Sequence, residues 1–72
     1  MNFFEQLSVM KRLDQLIRRK ATGTSDQLAK KLKISVATVY RYIQDLKTHG
    51  APIKYCRNRR SYYYTQPFDP EF

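Results

Sequence analysis

Seventy-two residues make one small domain and not two. A single cysteine (Cys56) and a single histidine (His49) exclude an internal disulfide and a Cys/His zinc cluster, and the scattered carboxylates offer no nucleophile–base pair, which argues against an enzyme. Fourteen Lys+Arg against six Asp+Glu leave a net charge of +8 and point to a polyanionic partner: nucleic acid first, an anionic membrane surface second.

The charge is unevenly spread. Every basic residue lies between Lys11 and Arg60, while the segment after Arg60 carries only Asp69 and Glu71. No apolar run approaches the ~20 residues that span a bilayer, and no secretory signal pattern opens the chain. A membrane partner is therefore set aside, and the cytoplasm is the expected location. Cys56 reads as a strand residue in a reducing compartment. No residue set implies a metal or a cofactor.

In chain order, Phe3 to Lys20 reads as a helix. Phe3, Leu7, Met10, Leu13, Leu16 and Ile17 recur at three- and four-residue spacing and predict one buried stripe. Arg18-Arg19-Lys20 supplies cations for its C-terminal end. Ala21-Thr22-Gly23 breaks the pattern, and Thr24 with Gln27 forms a capping-box signal for a second helix from about Ser25 to Leu32. Leu28, Ala29 and Leu32 point inward there. A three-residue connection, Lys33-Ile34-Ser35, follows, with Ser35 suited to cap a third helix from about Val36 to His49. Gly50 ends that helix, and Pro52 prevents a restart.

After Pro52 the apolar period changes from 3.6 to 2. "IKYC" (Ile53–Cys56) and "SYYYT" (Ser61–Thr65) flank the basic turn "RNRR" and predict a two-stranded hairpin. Ile53, Tyr55, Tyr62 and Tyr64 are expected inward and Tyr63 outward. The tail "QPFDPEF" has no period and two prolines, so it reads as an extended strap. The domain thus covers 1–65 and the tail 66–72. The fold class is α+β: a three-helix bundle carrying a helix-turn-helix, followed by a two-stranded wing.

On a wheel of the third helix, Val39, Ile43 and Leu46 share one side and must face the core. Ala37, Thr38, Arg41, Gln44 and Thr48 fall on the opposite half, and Tyr40 and Tyr42 on the flanks. Small residues at the start of the outer face permit close approach to a surface. Arg41 suits guanine and Gln44 adenine at base edges. Thr38 and Tyr40 can reach phosphate oxygens, contacts that hold without reading sequence. Arg41 is expected to have nothing of its own protein to bond. Tyr42 reads as a ring packed against the first helix or the hairpin. The candidate DNA-binding set is Ser35, Ala37, Thr38, Tyr40, Arg41, Gln44, and the wing-tip residues Arg57, Arg59 and Arg60.

"TSDQLAKKLKISVATVYRYIQDLKTHGAPI" resembles the DNA-binding domain of DeoR-type and WYL-domain bacterial transcriptional regulators, and is similar also to the N-terminal domain of the biotin repressor. The matching positions are Leu28, Ala29, Leu32, Ser35, Thr38, Val39, Tyr40, Arg41, Ile43, Leu46, Gly50 and Ile53, with Tyr62 and Tyr64 in the wing's last strand. The resemblance implies a winged helix and a sequence-specific regulator bound to double-stranded DNA. Three departures stand out: Tyr42 where the family commonly has aspartate, Lys33 where the turn often has glycine, and Ser61 where glycine usually precedes the wing's tyrosines. Those regulators also carry a C-terminal ligand-sensing domain; with the sequence ending at Phe72, no signal response in cis is expected. A homodimer follows if the operator is palindromic, because paired half-sites demand two-fold symmetry; the first helix or the aromatic tail would supply the interface. Two other readings are a protein-docking module using Tyr63, Phe68 and Phe72, and a small RNA-binding or DNA-architecture factor in recombination.

Overall fold

The computed structural model describes residues 2–70. Its elements are α1 (Phe3–Arg18), α2 (Ser25–Leu32), α3 (Val36–Thr48), β1 (Ile53–Cys56) and β2 (Ser61–Tyr64). Each helix opens on a side chain that satisfies backbone donors the first turn leaves unpaired. Asn2 accepts from the Glu5 N–H at 2.9 Å, and the Glu5 carboxylate accepts from the Asn2 N–H at 3.3 Å. Thr24 and Gln27 form the same reciprocal pair at 3.3 and 2.9 Å. Ser35 accepts from the Thr38 N–H at 3.1 Å.

All three helices also close alike. A left-handed residue (Lys20 at φ 56°, Lys33 at φ 58°, Gly50 at φ 96°) turns the chain, and the next N–H bonds back to the helix. Those bonds run from Ala21 to the Leu16 carbonyl, from Ile34 to Ala29 and from Ala51 to Leu46, each at 3.0 Å. Glycine takes this conformation without steric cost; each lysine costs about 1–2 kcal/mol. The departure at Lys33 therefore keeps the turn geometry at a local cost.

The core joins Leu13 and Ile17 of α1, Leu28, Ala29 and Leu32 of α2, Val39, Tyr42, Ile43 and Leu46 of α3, and Ala51 and Ile53 beyond. The expected stripe of α1 is only half used. Leu7, Met10 and Leu16 are half-buried, and Phe3 is 70% exposed, on an open recess that it lines with Met10, Asp45 and Leu46 of α3, His49 and Phe68. Asp14, a charged residue in the middle of α1, is buried instead. It accepts from Arg18 Nε at 2.9 and 3.1 Å and from the Tyr64 hydroxyl at 2.6 Å. Paired this way, a carboxylate can be buried without the cost of an isolated charge.

The wing is an antiparallel pair with Ile53 opposite Tyr64, Lys54 opposite Tyr63, Tyr55 opposite Tyr62 and Cys56 opposite Ser61. β2 lies against α1. Ile53 is buried, but Tyr55 is exposed, contrary to the inward assignment: it sits two residues nearer the tip, where the hairpin has left the core. Ser61 is 1% exposed and faces Thr22, which is fully buried. Ser61 Oγ accepts from the Thr22 N–H at 3.1 Å, and Thr22 Oγ1 accepts from the Tyr62 N–H at 2.9 Å. Ser61 thus ties the wing to the α1–α2 connection.

Phe68 is not an exposed docking ring. It packs on Tyr64 with ring centroids 5.3 Å apart, and its carbonyl accepts from Arg18 Nη2. Tyr63 is half-buried, and Phe72 lies outside the described residues.

Candidate nucleic-acid interface

The outer half of α3 is built by the requirement that its inner half be buried. Val39, Tyr42, Ile43 and Leu46 are in the core, which turns Ala37, Arg41, Gln44 and Thr48 to solvent and leaves Thr38 half-buried. The Ser35 cap fixes where this face begins. Its hydroxyl meets Thr38 Oγ1 at 2.8 Å as well as the Thr38 N–H, so the two hydroxyls form one polar unit at the helix start. Ala37, beside them, adds no bulk.

Arg41 is exposed but not alone. Its Cζ lies 5.7 Å from the Tyr42 ring centroid, a cation–π distance. The expectation that Arg41 has nothing of its own protein to bond is corrected by this contact with Tyr42. The ring steers the guanidinium without occupying its N–H donors. Gln44 is exposed, and its backbone carbonyl accepts from Thr48 Oγ1 at 2.9 Å. Thr48 is therefore turned back onto its own helix.

Tyr40 is 55% exposed and borders a cleft that the sequence did not reveal. Thr24, Ser25 and Asp26 at the start of α2 and Tyr55 and Tyr62 of the wing form its other walls. Ser25 Oγ and the Tyr62 hydroxyl are 2.8 Å apart, and the Tyr55 and Tyr62 rings meet edge to face at 5.0 Å. α2 and the wing are thereby joined by a floor of hydroxyls and aromatic edges, which Tyr40 of α3 borders. The closeness of Tyr55 to the basic turn was the one available signal, since a ring next to "RNRR" stands where the core cannot reach.

At the wing tip, Arg57, Asn58, Arg59 and Arg60 form the turn, and all four are exposed. Arg60 takes the left-handed position at φ 52°. The sequence-derived set thus falls into two groups, Ser35 to Gln44 on α3 and Arg57 to Arg60 on the wing, with the tyrosine cleft between them. No helix among the described residues is long and apolar enough to cross a membrane.

A family model described as "HTH domain" matches residues 9–64, from within α1 through the last residue of β2. No curated protein and no solved structure gives a significant match to the chain.

Proposed function

The chain belongs to the helix-turn-helix domain family, and on that premise we propose that it is a sequence-specific, double-stranded DNA-binding transcriptional regulator. The observation that carries this reading is the outer face of α3: Ala37, Thr38, Arg41 and Gln44 stand opposite the buried Val39, Ile43 and Leu46. That face enters the major groove, where Arg41 reads guanine and Gln44 reads adenine. Ser35, Thr38 and Tyr40 hold phosphates, and Ala37 lets the helix approach closely. Arg57, Arg59 and Arg60 on the wing lie against the backbone or in the minor groove. Within the family we place the chain with the DeoR-type and WYL-domain regulators of the bacterial cytoplasm, supported by the α2–α3 pattern and the Tyr62–Tyr64 strand.

Selection of bound fragments from a random duplex library tests this directly. A recovered motif is expected, with affinity for it falling steeply as KCl rises. Each neutralised phosphate adds about −0.9 to the log–log slope, so roughly 4 to 6 contacts give a slope near −4 to −5. No motif together with a flat salt slope would remove the reading.

A further inference from the structure

The outer side of α1 is a second exposed face, and its chemistry differs from that of α3. We infer that it binds a second copy of the same face, with the two α1 helices antiparallel about a two-fold axis beside Ser8. Phe4 is 78% exposed in the first turn of α1, its ring met edge-on only by the neighbouring Phe3 ring at 5.6 Å among the described residues. Two turns further along, Ser8, Lys11, Arg12 and Gln15 line the same recess of about 360 Å³ as Phe4 and Leu7. Positions 8, 11, 12 and 15 are i, i+3, i+4 and i+7, the four corners of a hole that accepts a knob from a facing helix. Ser8 keeps that hole open because it is short.

The spacing fits a two-fold. At 1.5 Å per residue, Phe4 lies about 6 Å before Ser8, and the centre of the hole lies about 5 Å after it. Rotation about an axis at Ser8 therefore drops Phe4 of each copy into the hole of the other. The aliphatic stems of Lys11 and Arg12 then flank the ring, with their cations at its face and rim. The same rotation sets Glu5 of one copy beside Arg12 of its mate, on one side of the helix pair. Opposite charges thus meet twice, as a self-complementary interface requires. Arg12 is held at the rim by a 3.0 Å bond from Nη2 to the Lys31 carbonyl, one of five donors on the guanidinium. One helix face is a small contact, so the dimer is a weak one that forms with concentration or when two copies share a duplex.

The test is made without DNA, so its failure and that of the DNA reading are distinguishable. Helices at 8–10 Å bring two Ser8 Cα atoms within about 4–6 Å, inside the disulfide window. In a Cys56→Ser background, Ser8→Cys should cross-link to a covalent dimer under mild oxidation, and Gln66→Cys on the tail should not. Sedimentation equilibrium of the unmodified chain should show a monomer–dimer equilibrium. Phe4→Ser and Arg12→Glu should each weaken it about tenfold or more, as expected for a central aromatic anchor and for a charge reversal. Circular dichroism melts confirm that both variants fold. A monomer up to millimolar concentration would overturn the inference. So would a cross-linking yield for Ser8→Cys no higher than that for Gln66→Cys, or a dimer indifferent to Phe4.

Discussion

α1 and α3 are both amphipathic helices with apolar residues at helical spacing, yet they use that spacing differently. In α3 every residue of the Val39–Ile43–Leu46 stripe is buried, and the outer face is short and polar. In α1 only Leu13 and Ile17 of the apolar stripe are fully buried, while Phe3 and Phe4 stand in solvent. Periodicity identifies the apolar face of a helix; it does not say whether a neighbour is there to cover it. That depends on how far the other layers extend, which is a property of the assembled domain.

The sharpest way to break this comparison is to truncate one residue of each stripe. Leu46→Ala should lower stability by about 2–5 kcal/mol, because it leaves a cavity where α3 meets the core. In a domain this small that loss threatens folding at 37 °C. Phe3→Ala, which removes a larger side chain, should change stability by only about 0.5 kcal/mol or less, as for an exposed surface residue. Urea or thermal melts of both variants decide. Equal losses would mean that the first turns of α1 are covered in the monomer.

The helix ends sharpen the same contrast between local signals and tertiary ones. Lys33→Gly should stabilise the domain by up to about 1 kcal/mol, since the left-handed residue after α2 would lose its steric cost. A melt midpoint unchanged or lower than that of the unmodified chain would contradict the φ of 58°. The smallest effect concerns the buried Asp14 cluster. Burial, then the hydrogen bond to Asp14, holds the Tyr64 hydroxyl well above the ordinary tyrosine value of 10.0. A proton kept more tightly by the folded state means full stabilisation below about pH 10 and progressive loss as pH rises above it. Stability followed across that range should fall less steeply in Tyr64→Phe; identical slopes would detach Tyr64 from the effect.

Some of these features were legible in the sequence and others were not. The α2 boundaries were legible because Thr24 and Gln27 carry a cap in four residues. The α3 face was legible because a wheel needs no neighbour. The left-handed Lys20 was not, since lysine gives no sign of positive φ, whereas Lys33 was marked by the glycine that the resembled turn often carries there. Nor was the burial of Asp14, whose partner Tyr64 stands fifty positions away, or the meeting of Thr22 and Ser61 across the wing base. Polar residues are buried in pairs, and one sequence does not name the pairs. The tyrosine cleft between α3 and the wing stayed hidden for the same reason.

The division of labour between α3 and the wing is the central claim, and one comparison tests it. Arg41→Ala and Arg59→Ala are titrated by anisotropy on a selected duplex and on a scrambled one, at two salt concentrations. Loss of a base contact should cost about 1–3 kcal/mol on the selected site and little on the scrambled one. Loss of a phosphate contact should weaken both alike and reduce the salt slope by about one. Arg41→Ala is therefore expected to lower the ratio of specific to non-specific affinity, and Arg59→Ala to leave that ratio nearly unchanged. If Arg41→Ala weakens both duplexes equally, α3 holds DNA without reading it, and the division between the two elements is wrong.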